Sequence, residues 1–378
     1  MLRTTATCTV QLSLDCRWLA ERILLLLQGP QSMAPGNETM QHAPGRFIGR
    51  RPWIALLLVL FISSGLSACQ VPVFRFALER WQADAYRLVI LHRSREQKTQ
   101  QQAVQSLLQL ARENPRMQIR ETTLSEGSPQ LLHQLYESAQ VDNGPVVAAF
   151  YPGRSGIPAG TTAVVLPVSA AGTQSLLRSP IQSQLIRRLA AGDSVVWLFL
   201  ASGRPDRDVA ARTLLTEQLE QLQRHLQLPA AEELQVQPSV LQKLKVPFEL
   251  RFSVLDLPES GEQEHCLREI LLNSEPDLRG LEEPIVFPVF GRGRVLYALA
   301  GAGINAGTIR AATEFLTGPC SCQVKEENPG FDLPLNHDWE QSLGEVLLSS
   351  PVPERSRAPV TLPIPPGRDR KGAAAKSR

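Results

Sequence analysis

The chain has 378 residues and a net charge of +2, with 43% apolar and 20% charged residues and six cysteines. That length is room for two domains, and the composition suits a globular core, which excludes a disordered chain and a multi-span membrane protein. The near balance of charge excludes a chain-wide cationic surface for nucleic acid, and six cysteines are too few for a disulfide scaffold.

Residues 1–39 read as an over-extended start, because Met33 and Met40 both offer later ones. The alternative is that Leu14 to Leu27 has a role of its own, although Arg17, Glu21 and Arg22 make it a poor membrane span. From residue 40 the chain reads as a secretory signal. Arg46, Arg50 and Arg51 precede an apolar run from Trp53 to Leu66, and the segment closes on Leu66-Ser67-Ala68-Cys69. Spanning a bilayer takes about 20 residues, and this run is 14. A basic flank, a short apolar run and a small-residue site describe a signal peptide over residues 40–68. The other reading is an uncleaved signal anchor. Arg50-Arg51 also hints at a twin-arginine signal, but the residues after it fit poorly.

The closing tetrapeptide resembles a bacterial lipobox. The resemblance implies a diacylglyceryl group on the Cys69 sulfur and cleavage just before it, so that Cys69 becomes a lipidated N-terminus and the membrane a partner. Gln70 follows where an aspartate would signal inner-membrane retention. The resemblance therefore implies a bacterial cell-envelope location at the periplasmic face of the outer membrane, if the source has one. Between Cys69 and Ser350 there are 26 basic and 32 acidic side chains, a net −6, which argues against nucleic acid as a partner of the fold.

Residues 69–84 form an anchor-proximal segment. Phe74, Leu78 and Trp81 share one helical face between Val73 and Trp81, to pack on the first domain or to rest on the membrane. Over 85–192 the apolar periodicity predicts strands at 87–92, 117–123, 146–151 and 163–168, and helices at 97–112, 129–139 and 179–190. Over 193–318 it predicts strands at 194–200 and 248–255, a hairpin of 285–290 with 294–300 around Gly291-Arg292-Gly293, and helices at 207–226, 263–272 and 308–316. Both stretches read β-α-β-α-β-β-α, and the loop Pro229–Pro247 is the main difference.

This order, met twice, resembles the thioredoxin-like fold, giving an α/β protein of two tandem thioredoxin-like βαβαββα domains. The resemblance implies a cis-proline before the third strand of each half, and Pro145 and Pro284 stand there. It would also place a C-x-x-C dithiol after the first strand. The turns are His92-Arg93-Ser94-Arg95 and Ser202-Gly203-Arg204-Pro205, without cysteine, so both halves are expected to be non-catalytic at that turn.

Residues 319–350 hold Cys320-Ser321-Cys322 and a C-terminal stretch. Two residues of extended chain separate the cysteine Cα atoms by about 6.6 Å, near the upper end for a disulfide. A Cys320–Cys322 disulfide or plain thiols is one reading. Redox exchange is another, and a soft ion such as Cu or Zn, with His337 as a further ligand, is a third. Cys266 reads as a small buried apolar residue, remote from Cys320 because the second and third helices of the resembled fold lie on opposite sheet faces. Gly301-Ala-Gly303-Ile-Asn-Ala-Gly307 sits where a phosphate turn would, but a tight strand-to-helix turn explains it with less. The stretch from Asn328 to Trp339 is either a partner-docking loop or a packed wrap. Residues 351–378, with six prolines and a net +5, are expected to be a disordered basic tail.

The sequence thus points to a lipid-anchored envelope protein, a binding or scaffold module without turnover and with no cofactor. Its partner would be an unknown envelope protein or small ligand. The alternatives are a thiol-redox or soft-metal protein using Cys320 and Cys322, and a two-lobed small-ligand binding protein.

Overall fold

The structure is a computed structural model, and it describes residues 70–93, 102–114, 116–153, 156–258, 261–320 and 324–350. The signal segment, Cys69, Cys322 and the basic tail lie outside the described residues.

The first sheet contains β1 (Tyr86–His92), β2 (Met117–Thr123), β3 (Val146–Phe150) and β4 (Thr162–Pro167) in the order β2-β1-β3-β4. β1 and β2 run parallel, with Tyr86 opposite Met117 and His92 opposite Thr123, while β3 is antiparallel to both β1 and β4. The second sheet is built on β5 (Val195–Leu200), β6 (Phe252–Leu257), β7 (Ile285–Phe290), β8 (Arg294–Val295), β9 (Leu299–Ala300) and β10 (Phe331–Asp332). Its path is β10-β8-β7-β5-β6, with β9 also on β7. Here too the first two strands are parallel and the third is antiparallel to the first. The chain is a mixed α/β protein with two mixed sheets of the same strand order.

Every residue of β5 is buried, because helices cover both faces of the sheet and the strand needs no polar alternation. Val196, Leu198 and Leu200 point into one cluster, and Val195, Trp197 and Phe199 into another. The first of these clusters is shared by both sheets. It joins Leu88 and Ile90 of β1, Val147 and Ala149 of β3, and Phe287 and Val289 of β7.

The helices of the shared layer are α2 (Gln102–Glu113), α4 (Ala170–Arg178), α5 (Pro180–Ala190) and α8 (His265–Leu272). They interlock across the halves: α5 packs on β5 and β6, while α8 packs on β4. Polar bonds follow the same seam. The Tyr151 hydroxyl donates to the Ile270 carbonyl, and Asn273 donates to the Ala163 carbonyl at 2.8 Å. Outside the first sheet, α3 (Gln130–Ser138) covers Leu91, Val146, Ala148 and Phe150 with Leu135 and Tyr136. Outside the second lie α6 (Pro205–His225) and α9 (Ala306–Thr317).

Three local features differ from the sequence expectation, and a fourth decides between two readings left open. The single helix expected at 179–190 is preceded by α4, capped by Ser169, which accepts from the Gly172 amide. The two separate because Ser179 precedes Pro180 and is forced extended, at ψ 156°, while its hydroxyl closes a capping box with Gln182. The loop Pro229–Pro247 holds a short helix α7 (Pro238–Lys243) started by proline at its first position. The strand expected at 294–300 is split into β8 and β9. The pairing on β7 steps by one residue around Pro288, which has no amide hydrogen to offer a ladder. The stretch after Asn328 is a packed wrap. β10 extends the second sheet, and α10 (Trp339–Leu343) buries Trp339 and Leu343 in the shared core.

The first helix, α1 (Val73–Arg80), is buried on every side, from Val73 through Glu79. It packs on β7 and α9 of the second half, although Leu78 reaches the shared core. Phe74 stacks on Phe248, and Trp81 meets Phe290 edge-on at 6.3 Å. Gly291, at φ +59°, permits the approach, since a Cβ there would lie 2.8 Å from the Ala77 Cβ.

The same helix carries buried charge. Arg75 donates to Glu79 at 2.6 Å and to the carbonyls of Val246 and Pro247. Glu79 also accepts from the Leu348 and Ser349 amides and from the Ser349 hydroxyl. Arg292 donates to the carbonyls of Leu78 and Glu79 and pairs with Glu340. Arg294 pairs with Asp332 at 3.2 Å and sits over the Trp81 ring. Lys325 bridges Asp332 and Asp84. Burial, then the Asp332 charge, push the Asp84 carboxyl above its ordinary value. The hydrogen bonds from Gln82 and Arg292 hold the Glu340 carboxyl down at about 2.

Removing one partner of such a pair leaves a charge uncompensated out of water. Glu79→Ala should therefore destabilise the protein by about 3–5 kcal/mol. The double variant Arg75→Met/Glu79→Leu should lose less, and urea unfolding of the two beside the parent measures it. A Glu79→Ala loss under about 1 kcal/mol, the range of an exposed pair, would show that water reaches this site.

Candidate functional site

Open α/β sheets gather ligands beyond the carboxyl ends of their parallel strands. In the first half that place is where β1 and β2 end. Their pairing sets Ile90 opposite Glu121 and His92 opposite Thr123, so His92 and Glu121 share a face. His92 is fully buried, with Nε2 3.3 Å from the Glu121 carboxylate. Arg93 turns the other way and lies 5.3 Å over the Tyr136 ring. A cleft of about 240 Å³ opens beside it, lined by Arg93, Leu124, Ser125, Glu126, His133, Tyr136 and Glu137. The Ser125 carbonyl accepts from His133 Nε2 at 3.1 Å, and the Tyr136 hydroxyl donates to the Gly144 carbonyl at 2.7 Å.

This cleft brings one guanidinium, one imidazole and two carboxylates together without a thiol. It can hold a polar ligand carrying both charges. Its α3 members were missed in the sequence because His133 and Glu137 look like the ordinary polar face of an amphipathic helix and Tyr136 like part of its apolar stripe. Only the closeness of that helix to the end of β2 sets them against Arg93.

The matching turn of the second half is closed on itself. Asp208 accepts from both the amide and the hydroxyl of Ser202 at 2.8 Å. Arg204 pairs with Glu282 and Arg207 with Glu283, tying the start of α6 to the segment before β7. Arg212 clamps Asp256 at the end of β6 with two bonds, at 2.7 and 2.9 Å.

The cysteines are separated by the second sheet. Cys320 is buried in the outer cluster, where its amide donates to the Val71 carbonyl at 3.0 Å. Cys266 is buried in the shared core. His337 hydrogen-bonds Ser342 at 2.7 Å and meets Trp339 edge-on, and Trp339 also belongs to the shared core. The structure thus brings His337 to the face opposite Cys320, and burial lowers the affinity of its imidazole for a proton. No group of three or more metal-ligating side chains gathers among the described residues.

The prolines correct an expectation. No peptide bond is cis among the described residues, so Pro145 and Pro284 are trans. Each leads into a strand whose other neighbour fixes the entry: the Val168 amide bonds the Pro145 carbonyl at 2.8 Å, and the Gly301 amide bonds that of Pro284 at 2.9 Å. These bonds form with an ordinary trans linkage, which the X-Pro bond favours.

The glycine turn before α9 satisfies its own donors. The Asn305 side chain accepts from the Gly307 and Thr308 amides, and the Thr308 hydroxyl closes the box. An anion would have to displace that cap.

Cys266 offers a chemical check. Burial pushes its thiol up to about 11, the Ser175 hydroxyl offsetting only part of that. Iodoacetamide at pH 8 should alkylate Cys266 at least about 100-fold more slowly in the native protein than in denaturant, followed by peptide mass. Alkylation at the rate of free cysteine would contradict the burial.

No helix among the described residues is long and apolar enough to cross a membrane. No family model matches this chain, and comparison with curated proteins gives no match.

Proposed function

We propose that this chain is a lipid-anchored bacterial envelope protein whose two halves are thioredoxin-like, and that it works as a binding module without turnover. The observation that carries the reading is the repeat of one strand order in two sheets, each followed by a first turn that has no cysteine. Helix placement supports the same reading. In the first half α3 covers the outer sheet face and α2 lies on the inner one, and in the second half α9 covers the outer face and α5 the inner one. The second turn is tied shut by its own ion pairs, which leaves the polar cleft of the first half as the better binding face.

The lipid would hang on Cys69 through a thioether to diacylglycerol, after the signal read in residues 40–68. The thiol-redox or metal alternative draws little support from the geometry, since Cys320 is buried in the outer cluster while His337 is held by Ser342 and by Trp339 of the shared core. The two-lobed alternative draws none from the layer between the sheets, which α2, α4, α5 and α8 fill.

Intact-mass analysis of the full chain, extracted from membranes and alkylated without reductant, tests this. The expected result is an N-terminus at Cys69 bearing a diacylglyceryl group, lost in Cys69→Ser, with no protons missing at Cys266, Cys320 and Cys322 after unfolding. An unmodified Cys69 would sink the anchor. Two missing protons at Cys320 and Cys322 would favour thiol chemistry instead.

A further inference from the structure

The described chain begins without slack. Pro72 forms an antiparallel bridge with Pro319, the Val73 amide donates to the Gly318 carbonyl at 3.0 Å, and Cys320 donates to Val71. Gln70, directly after Cys69, lines a groove of about 380 Å³ with Leu226, Leu228, Pro229, Glu314 and Pro319. One residue spans about 3.8 Å, so a lipid on Cys69 would bring this end of the protein to the bilayer. A long flexible linker would leave orientation free, and here none intervenes.

We infer that the end of the second half formed by the residue 226–233 connector and the last turn of α9 is a bilayer-facing surface. The inference rests on the lipid anchor proposed above. The surface is mixed, with apolar groups standing beside Gln70, Gln227 and three carboxylates. Leu226, Leu228 and Pro229 are part-exposed, and Phe315 is 39% exposed on the same last turn of α9. Its acidic residues, Glu232, Glu233 and Glu314, offer nothing to anionic headgroups. Contact is therefore carried by the lipid anchor together with these apolar groups, on neutral lipid. It should depend little on salt. The first half, with its polar cleft, belongs to the other half of the fold and carries no part of this surface.

Tryptophan reporters test this on the lipidated full chain in phosphatidylcholine vesicles containing a doxyl-labelled lipid. The native Trp81, Trp197 and Trp339 are buried and give a common background. Phe315→Trp and Leu228→Trp should add emission that the doxyl lipid quenches. Leu131→Trp, on α3 at a side chain 49% exposed, should add emission that it does not. A lipidated chain with all three reporters quenched alike, or with only Leu131→Trp quenched, overturns the orientation alone. A chain recovered without the diacylglyceryl mass on Cys69 overturns the anchor and the orientation with it. Two reporters on the proposed surface guard against one variant failing to fold.

Discussion

Arg75, Glu79, Arg292, Arg294 and Asp332 all lie out of water where the first helix, the Gly291–Gly293 turn and the C-terminal wrap meet. A charge buried alone costs several kcal/mol, so such a set persists only if each member finds its partner within it. That condition is demanding, because the groups come from three distant parts of the chain. Glu79 takes its bonds from Arg75 and from Ser349, and Asp332 takes its from Arg294, Lys325 and the Asp84 amide. The wrap cannot leave without stranding Arg292 and Arg294, and the first helix cannot leave without taking two carbonyl acceptors from Arg292. The ends of the fold are therefore fastened to the second sheet by polar bonds that allow few alternative positions.

This fastening explains the arrangement of the halves. α1 precedes the first sheet in the chain yet packs on the second. The wrap follows the second sheet yet reaches the first, where Phe331 meets Tyr151 edge-on and the Tyr86 hydroxyl donates to Asp332. With α5 and α8 interlocked between the sheets, the halves share one core. Apolar burial at about 25 cal/mol per Å² drives the joining, and the charge network selects its geometry.

Much of this was legible in the sequence, and the exceptions have physical causes. β2 and β7 stand at their expected residues, because alternation and short apolar runs are local signals. α4 was missed because Ser179-Pro180 announces a helix so strongly that the residues before it read as loop. The split of β8 from β9 escaped because it depends on what Pro288 withholds from a partner strand. The placement of α1 was misread for a different reason. Its apolar face says that it packs, but nothing local says on what, and Arg75 and Glu79 look like an ordinary solvated pair until the third and fourth partners arrive. The candidate cleft was half legible. The turn after β1 was located, while its helix partners depend on tertiary approach.

The functional account follows from the same constraint. A helix clamped this firmly would carry the proposed anchor directly into the fold, with only Gln70 to Pro72 between Cys69 and the helix. Its central claim is that α1 is part of the cooperative core rather than a tether. Native-state hydrogen exchange measures this most directly. The account predicts that the amides of Phe76 to Trp81 open only with those of β5 and β7, at the global unfolding free energy. Exchange of α1 through a local opening, at roughly 2 kcal/mol or more below the core strands, would contradict it.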